Sequence, residues 1–126
     1  MNDNSYDYGF EEGDGEFADF LSSQLVGSKI QSIEGNRIIL DNSRVVEFEG
    51  YGECCAWGDL DKLELLASGE HVITSVEVIE TDEEYTYVTK FFIYGSGIPL
   101  ASGEMSGDEG TGYYSFGVMV TGTVVA

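Results

Sequence analysis

Apolar and polar residues alternate in short runs from residue 28 to the end of the chain. That period of two belongs to strands with one face on a core and the other in water. Lys29-Ile30-Gln31-Ser32-Ile33, Arg37-Ile38-Ile39-Leu40 and Arg44-Val45-Val46-Glu47-Phe48 are three such runs, separated by Gly35-Asn36 and by Asp41-Asn42-Ser43. Gly and Asn accept the positive φ that tight turns require, so a three-stranded meander is expected. His71 to Glu80 alternates Val72, Thr74, Val76 and Val78, and Glu84 to Tyr94 is a second long β run joined to it by Thr81-Asp82-Glu83. The two should pair as a hairpin. Tyr114, Phe116, Val118, Val120 and Val124 outline a last strand.

Other segments do not follow this rhythm. Between Gly15 and Gly27, Phe17, Ala18, Phe20, Leu21 and Leu25 recur at helical spacing, with Gly27 placed for a left-handed cap. Asp59 stands before Leu60, Leu63, Leu65 and Leu66, a spacing that predicts a short helix capped by the Asp59 carboxylate. Residues 95 to 112 are mostly Gly, Ser and acid and contain the only proline, Pro99; they read as a long loop with a short irregular strand near Ile98 to Ala101. Residues 1 to 14 mix acids, Asn and Gly with Tyr6, Tyr8 and Phe10, and read as a flexible acidic arm. The expected fold is therefore α+β: a mostly antiparallel sheet built of hairpins with one or two short helices on one face, forming a single domain over residues 15–126.

Charge limits the partners. Twenty-four acids against five bases give a formal net charge of -19 in 126 residues. Such a chain repels nucleic acid and anionic lipid, so neither is an expected direct partner. No apolar run approaches the roughly 20 residues of a membrane helix, and no basic segment precedes an apolar stretch at the start, which points to the cytoplasm. The two cysteines, Cys54 and Cys55, are adjacent and cannot staple distant segments, in keeping with a reducing compartment.

Motifs for chemistry are sparse. Adjacent thiols rarely ligate one tetrahedral zinc, and His71 is the only histidine, so no metal site is expected. A strained vicinal disulfide and a structural turn with Trp57 over the cysteines are the other readings of that pair. His71 has no marked nucleophile or orienting partner. No phosphate loop, dinucleotide glycine pattern or nucleophile elbow occurs, and the Gly- and acid-rich stretches do not match an EF-hand. The residues point to a binding protein without catalytic residues or cofactor.

Leu25 to Ile30, Ile33 to Asn36, Gly52-Glu53-Cys54-Cys55-Ala56-Trp57-Gly58-Asp59 and His71-Val72-Ile73-Thr74 resemble a family of small proteins encoded mainly by bacteriophages, known as a domain of unknown function and marked by a G-x-C-C-A-W core. Phe92-Ile93-Tyr94 and Gly112 to Gly117 extend the likeness over about residues 25 to 120. The resemblance implies a phage accessory protein and transfers no catalytic residue.

Charge and resemblance together lead to a phage protein that inhibits a basic host or defence protein, one that normally binds nucleic acid, by presenting carboxylates in place of phosphates. The expected contact residues are Asp7, Glu11, Glu12, Asp14 and Glu16 in the arm and Asp82, Glu83 and Glu84 in the hairpin turn. A second expectation is a pocket for a signalling nucleotide lined by Cys54, Cys55, Trp57, Tyr113 and Tyr114. A third is a virion component or homo-oligomer that pairs through exposed edge strands.

Overall fold

The computed structural model describes residues 4–10, 16–53, 55–67, 70–83, 86–108 and 116–124. The elements run β1 (Asn4–Tyr8), α1 (Glu16–Leu25), β2 (Ile30–Glu34), β3 (Arg37–Leu40), β4 (Arg44–Gly52), β5 (Trp57–Leu65), β6 (Ser75–Glu83), β7 (Thr86–Gly95), β8 (Ile98–Asp108) and β9 (Phe116–Val124). They form two antiparallel sheets, one ordered β1-β9-β4-β3-β2 and the other β5-β8-β7-β6. The expected α+β class is thus corrected: among the described residues the chain is close to all-β, with α1 its one helix.

The meander and the hairpin form where alternation and turn chemistry place them. β2, β3 and β4 pair in sequence, and Gly35 turns the first hairpin with φ 62°. β6 and β7 pair from Ser75 opposite Tyr94 to Glu83 opposite Thr86, so Asp82 and Glu83 extend the strand beyond the expected turn. The α1 stripe Phe17, Leu21 and Leu25 is buried, and Gly27 ends the helix at φ 94° while its amide donates to the Ile73 carbonyl.

The helix expected after Asp59 is instead β5. Leu60, Leu63 and Leu65 lie opposite Met105, Gly103 and Ala101 of β8, with a bulge between Leu60 and Lys62. A bulge inserts one residue and shifts the phase of the pleat, so inward leucines fall three apart and imitate a helical spacing. The Asp59 carboxylate accepts from the next amide, Leu60 N, at 2.9 Å, without a helix behind it.

The loop expected over 95–112 is largely β8, an interior strand of eleven residues between β5 and β7. Its small residues answer to the rings that cover it. A β-carbon on Gly103 would lie 2.5 Å from a ring carbon of Phe91, and one on Gly107 would lie 2.7 Å from the ring of Phe10. Glycine here marks close approach by side chains, and the strand survives because the ladders on both sides supply its order.

The arm also departs from expectation. Asn4–Tyr8 form the edge strand β1 against β9, and Phe10 is buried; residues 1–3 and 11–14 lie outside the described residues. Tyr6, Tyr8 and Phe10 provide enough apolar area to hold the segment, each buried ring contributing roughly 1.5–3 kcal/mol. Tyr8 packs on Phe10 (centroids 5.0 Å apart) and Phe17 (4.6 Å). Its hydroxyl donates to Glu80 Oε2 at 2.7 Å and lies 2.7 Å from Thr89 Oγ1. With the tyrosine proton given to the carboxylate, Thr89 is the donor in the second bond.

The inner faces of the two sheets meet at Phe48 of β4 and Phe91 of β7, stacked 5.2 Å apart, with Phe17 edge-on to Phe91 at 6.2 Å. At the other side β5 runs back across β4 and β9. Glycines let the backbones touch there. A β-carbon on Gly58 would lie 2.7 Å from the carbonyl carbon of Gly117, and one on Gly50 would lie 2.7 Å from Asp59 Cα.

Candidate functional site

Alternation along β4 sends Val46 and Phe48 into the core and leaves Glu47 and Glu49 exposed on the outer face of the five-stranded sheet. Residues two apart on a strand stand about 6.8 Å apart, and neighbouring strands lie about 4.8 Å apart. The cross-strand register therefore fixes a surface. Asp7 of β1, Met119 of β9 and Glu49 of β4 lie abreast, and the next row holds Ser5, Thr121, Glu47 and Arg37. Asp7, Glu47 and Glu49 are all exposed. Arg37 is paired with Glu34 at 3.9 Å.

Tyr51 locks one corner of this surface. It lies in register with Gly117, where a side chain would meet the Tyr51 hydroxyl at 3.0 Å and its ring at 3.2 Å. The bare glycine lets the ring reach over β9 from β4 and donate its hydroxyl proton to Asp7 Oδ1 on β1. Partial burial, the bond to Asp7 and the negative charges of Asp7 and Glu53 push the Tyr51 hydroxyl up to about 12. The shift keeps the phenol a donor to Asp7 well into the alkaline range, and the bond ties that carboxylate to β4.

The outer face of the second sheet has a different character. A shallow groove of about 230 Å³ there is lined by Lys62, Glu64, Lys90, Phe92, Ser102 and Glu104. Both lysines are occupied: Lys62 pairs with Glu64 at 3.3 Å and Lys90 with Glu104 at 3.9 Å. Beside it Tyr94 donates to Glu77 Oε1 at 3.0 Å, and that bond, with some desolvation and the glutamate's charge, raises the tyrosine above its ordinary value.

Of the acids expected to make contact, Asp7 joins the carboxylate surface. Glu16 is exposed in the first turn of α1. Asp82 and Glu83 occupy the end of β6 opposite Tyr87 and Thr86, and Glu11, Glu12, Asp14 and Glu84 lie outside the described residues. Of the expected pocket, Cys55 is a free, exposed thiol and Trp57 is 43% exposed at the start of β5, opposite Asp108. Cys54, Tyr113 and Tyr114 lie outside the described residues. Among the described residues, no group of three or more His, Cys, Asp or Glu side chains converges as a metal site, and no helix is long and apolar enough to cross a membrane.

Glu47, Glu49, Tyr51 and Glu53 went unmarked in the sequence. The run Arg44 to Glu49 carried the signal for two of them: once Val46 and Phe48 face the core, Glu47 and Glu49 must share the opposite face. Nothing in the sequence alone brings β1 beside β9 and so places Asp7 next to them.

A protein-family model described as a domain of unknown function, DUF7448, matches residues 23–120. That span begins near the end of α1 and stops within β9. No curated protein and no solved structure matches the chain.

Proposed function

The chain belongs to the DUF7448 family, and from that premise we propose that it is a binding protein whose carboxylate face docks on a basic protein surface that ordinarily meets nucleic acid. It acts by occupation and carries out no catalysis of its own. In this reading the protein is a bacteriophage accessory factor, marked by the G-x-C-C-A-W motif at residues 52–57, which works in the host cytoplasm and inhibits a host or defence protein. One observation carries it: Asp7 and Glu49 flank Met119 in one row of a sheet face, Glu47 stands in the next row, and the arginine beside it is already paired with Glu34.

Carboxylates spaced at several ångströms on a rigid sheet offer Lys and Arg clusters a row of charge-assisted acceptors. The glycine-backed Tyr51–Asp7 bond supports this by holding one acceptor without ordering cost at docking. Contacts of this kind speed association and weaken with salt, since the screening length falls from about 10 Å at 0.1 M to about 3 Å at 1 M.

The test is capture from a bacterial lysate on the immobilised chain at about 0.1 M and about 1 M salt. A basic nucleic-acid-binding protein should be retained only at low salt, be displaced by duplex DNA, and be lost with the Glu47→Lys/Glu49→Lys variant. Retention that withstands both high salt and charge reversal refutes the reading.

A further inference from the structure

Among the five bases of this acidic chain, Arg37, Lys62 and Lys90 have carboxylate partners at 3.3–3.9 Å. Arg44 does not. This half-buried guanidinium makes a single side-chain bond, from Nη1 to Gln24 Oε1 at 2.8 Å. In a molecule where acids outnumber bases nearly five to one, a partly desolvated arginine without a carboxylate among the described residues calls for an explanation.

Its setting is built and specific. Gln24, in the last turn of α1, is only 6% exposed and lies over Gly122, where a β-carbon would come within 2.8 Å of the Gln24 amide carbon. The amide is fixed at both ends: Oε1 accepts from Arg44, and Nε2 donates to Ser23 Oγ at 3.3 Å, which in turn donates to the Phe20 carbonyl at 2.6 Å. A buried glutamine thus aims the guanidinium into a cleft of about 380 Å³ lined by Ser5, Phe20, Ser23, Gln24 and Arg44.

We propose that this cleft binds a small organic carboxylate, with the carboxylate on the free edge of the Arg44 guanidinium and the apolar body of the ligand against Phe20. The planar guanidinium matches a carboxylate through paired N–H donors, and a fixed fork loses little freedom on binding. The apolar wall distinguishes such a ligand from a bare inorganic anion. Arg44 also suits a purely structural task, since a cation beside the last turn of a helix complements its partial negative charge. The two roles differ in what they predict for added ligand, and neither depends on the carboxylate face of the five-stranded sheet.

The experiment titrates the full chain, isotopically labelled for NMR, with benzoate, its neutral isostere benzamide, and inorganic phosphate. Benzoate should produce saturable shifts centred on Ser5, Phe20, Ser23 and the Arg44 side chain. Benzamide should produce none, and phosphate should bind more weakly than benzoate. Arg44→Gln should weaken benzoate about tenfold or more, as expected for losing hydrogen bonds to a charged group; Ser23→Phe, which fills the cleft and leaves the arginine in place, should abolish it. Shifts that fail to saturate or lie elsewhere, equal binding of benzamide, equal binding of phosphate, or an unaltered affinity in both variants would each overturn the proposal. The ligand comparison on the natural chain stands even if Arg44→Gln does not fold.

Discussion

Replacing Gly58 by Ala should unfold the protein well below the natural chain's midpoint, because the added methyl has nowhere to go. It would sit 2.7–2.8 Å from the carbonyl carbon and amide nitrogen of Gly117 and closer still to the Gly117 oxygen, against ordinary contacts of 3.4–4 Å. These are backbone atoms of a strand paired on both sides, to β1 and β4, so no rotamer change relieves the clash. Nor can β5 slide toward β4, since Gly50 already meets Gly58 and Asp59 with no room for a side chain. The two sheets must part by about 1 Å at this corner, and a gap of that size forfeits roughly a quarter to a half of the dispersion energy of each contact it opens. The loss should reach or exceed the upper end of overpacking costs, about 3 kcal/mol. For a chain of this length that corresponds to a fall in midpoint of roughly 9–15 °C. Thermal unfolding followed by circular dichroism measures it, with Gly9→Ala as the control, because a β-carbon at Gly9 meets nothing within 4 Å. A Gly58→Ala midpoint equal to that of Gly9→Ala would refute the account of the corner.

Tyr8→Phe keeps the ring but leaves buried Thr89 without its tyrosine partner; chemical denaturation should show a loss of about 1–3 kcal/mol, and a loss under about 0.5 kcal/mol would argue that the link between β1 and the second sheet is immaterial. Tyr51 has its hydroxyl raised from 10 to about 12 in the folded state, so its contribution is complete below pH 10 and is lost as the pH climbs toward 12. Tyr51→Phe should accordingly flatten the alkaline decline in stability, and ultraviolet titration of the natural chain should show one phenol that ionises late. An alkaline limb unchanged by the substitution would contradict the Asp7 bond.

Legibility followed the range of the interactions. β2, β3, β4, β6 and β7 could be read because alternation and turn residues act over a few positions, and Phe17, Leu21 and Leu25 announced α1 in the same way. β5 was misread since a bulge at Asp61 rewrote its period, and β8 since its glycines serve rings that arrive from β7 and the N-terminal segment. No local pattern encodes those arrivals. The carboxylate face was half legible: Glu47 and Glu49 follow from strand alternation, whereas Asp7 enters only through the pairing of β1 with β9, a contact more than a hundred residues apart in the chain. The Arg44 cleft had no sequence signature, because its parts come from β1, α1 and the first residue of β4.

The residues that the family shares stop short of what completes this molecule. A fragment trimmed to 23–120 would discard β1 and most of α1, stripping the cover from Phe91 and Thr89 and laying bare the amide and carbonyl row of β9 that β1 now satisfies. Anyone preparing this protein for binding work should therefore keep its opening residues, since the piece that looks dispensable in sequence is the wedge that shuts the gap between the layers.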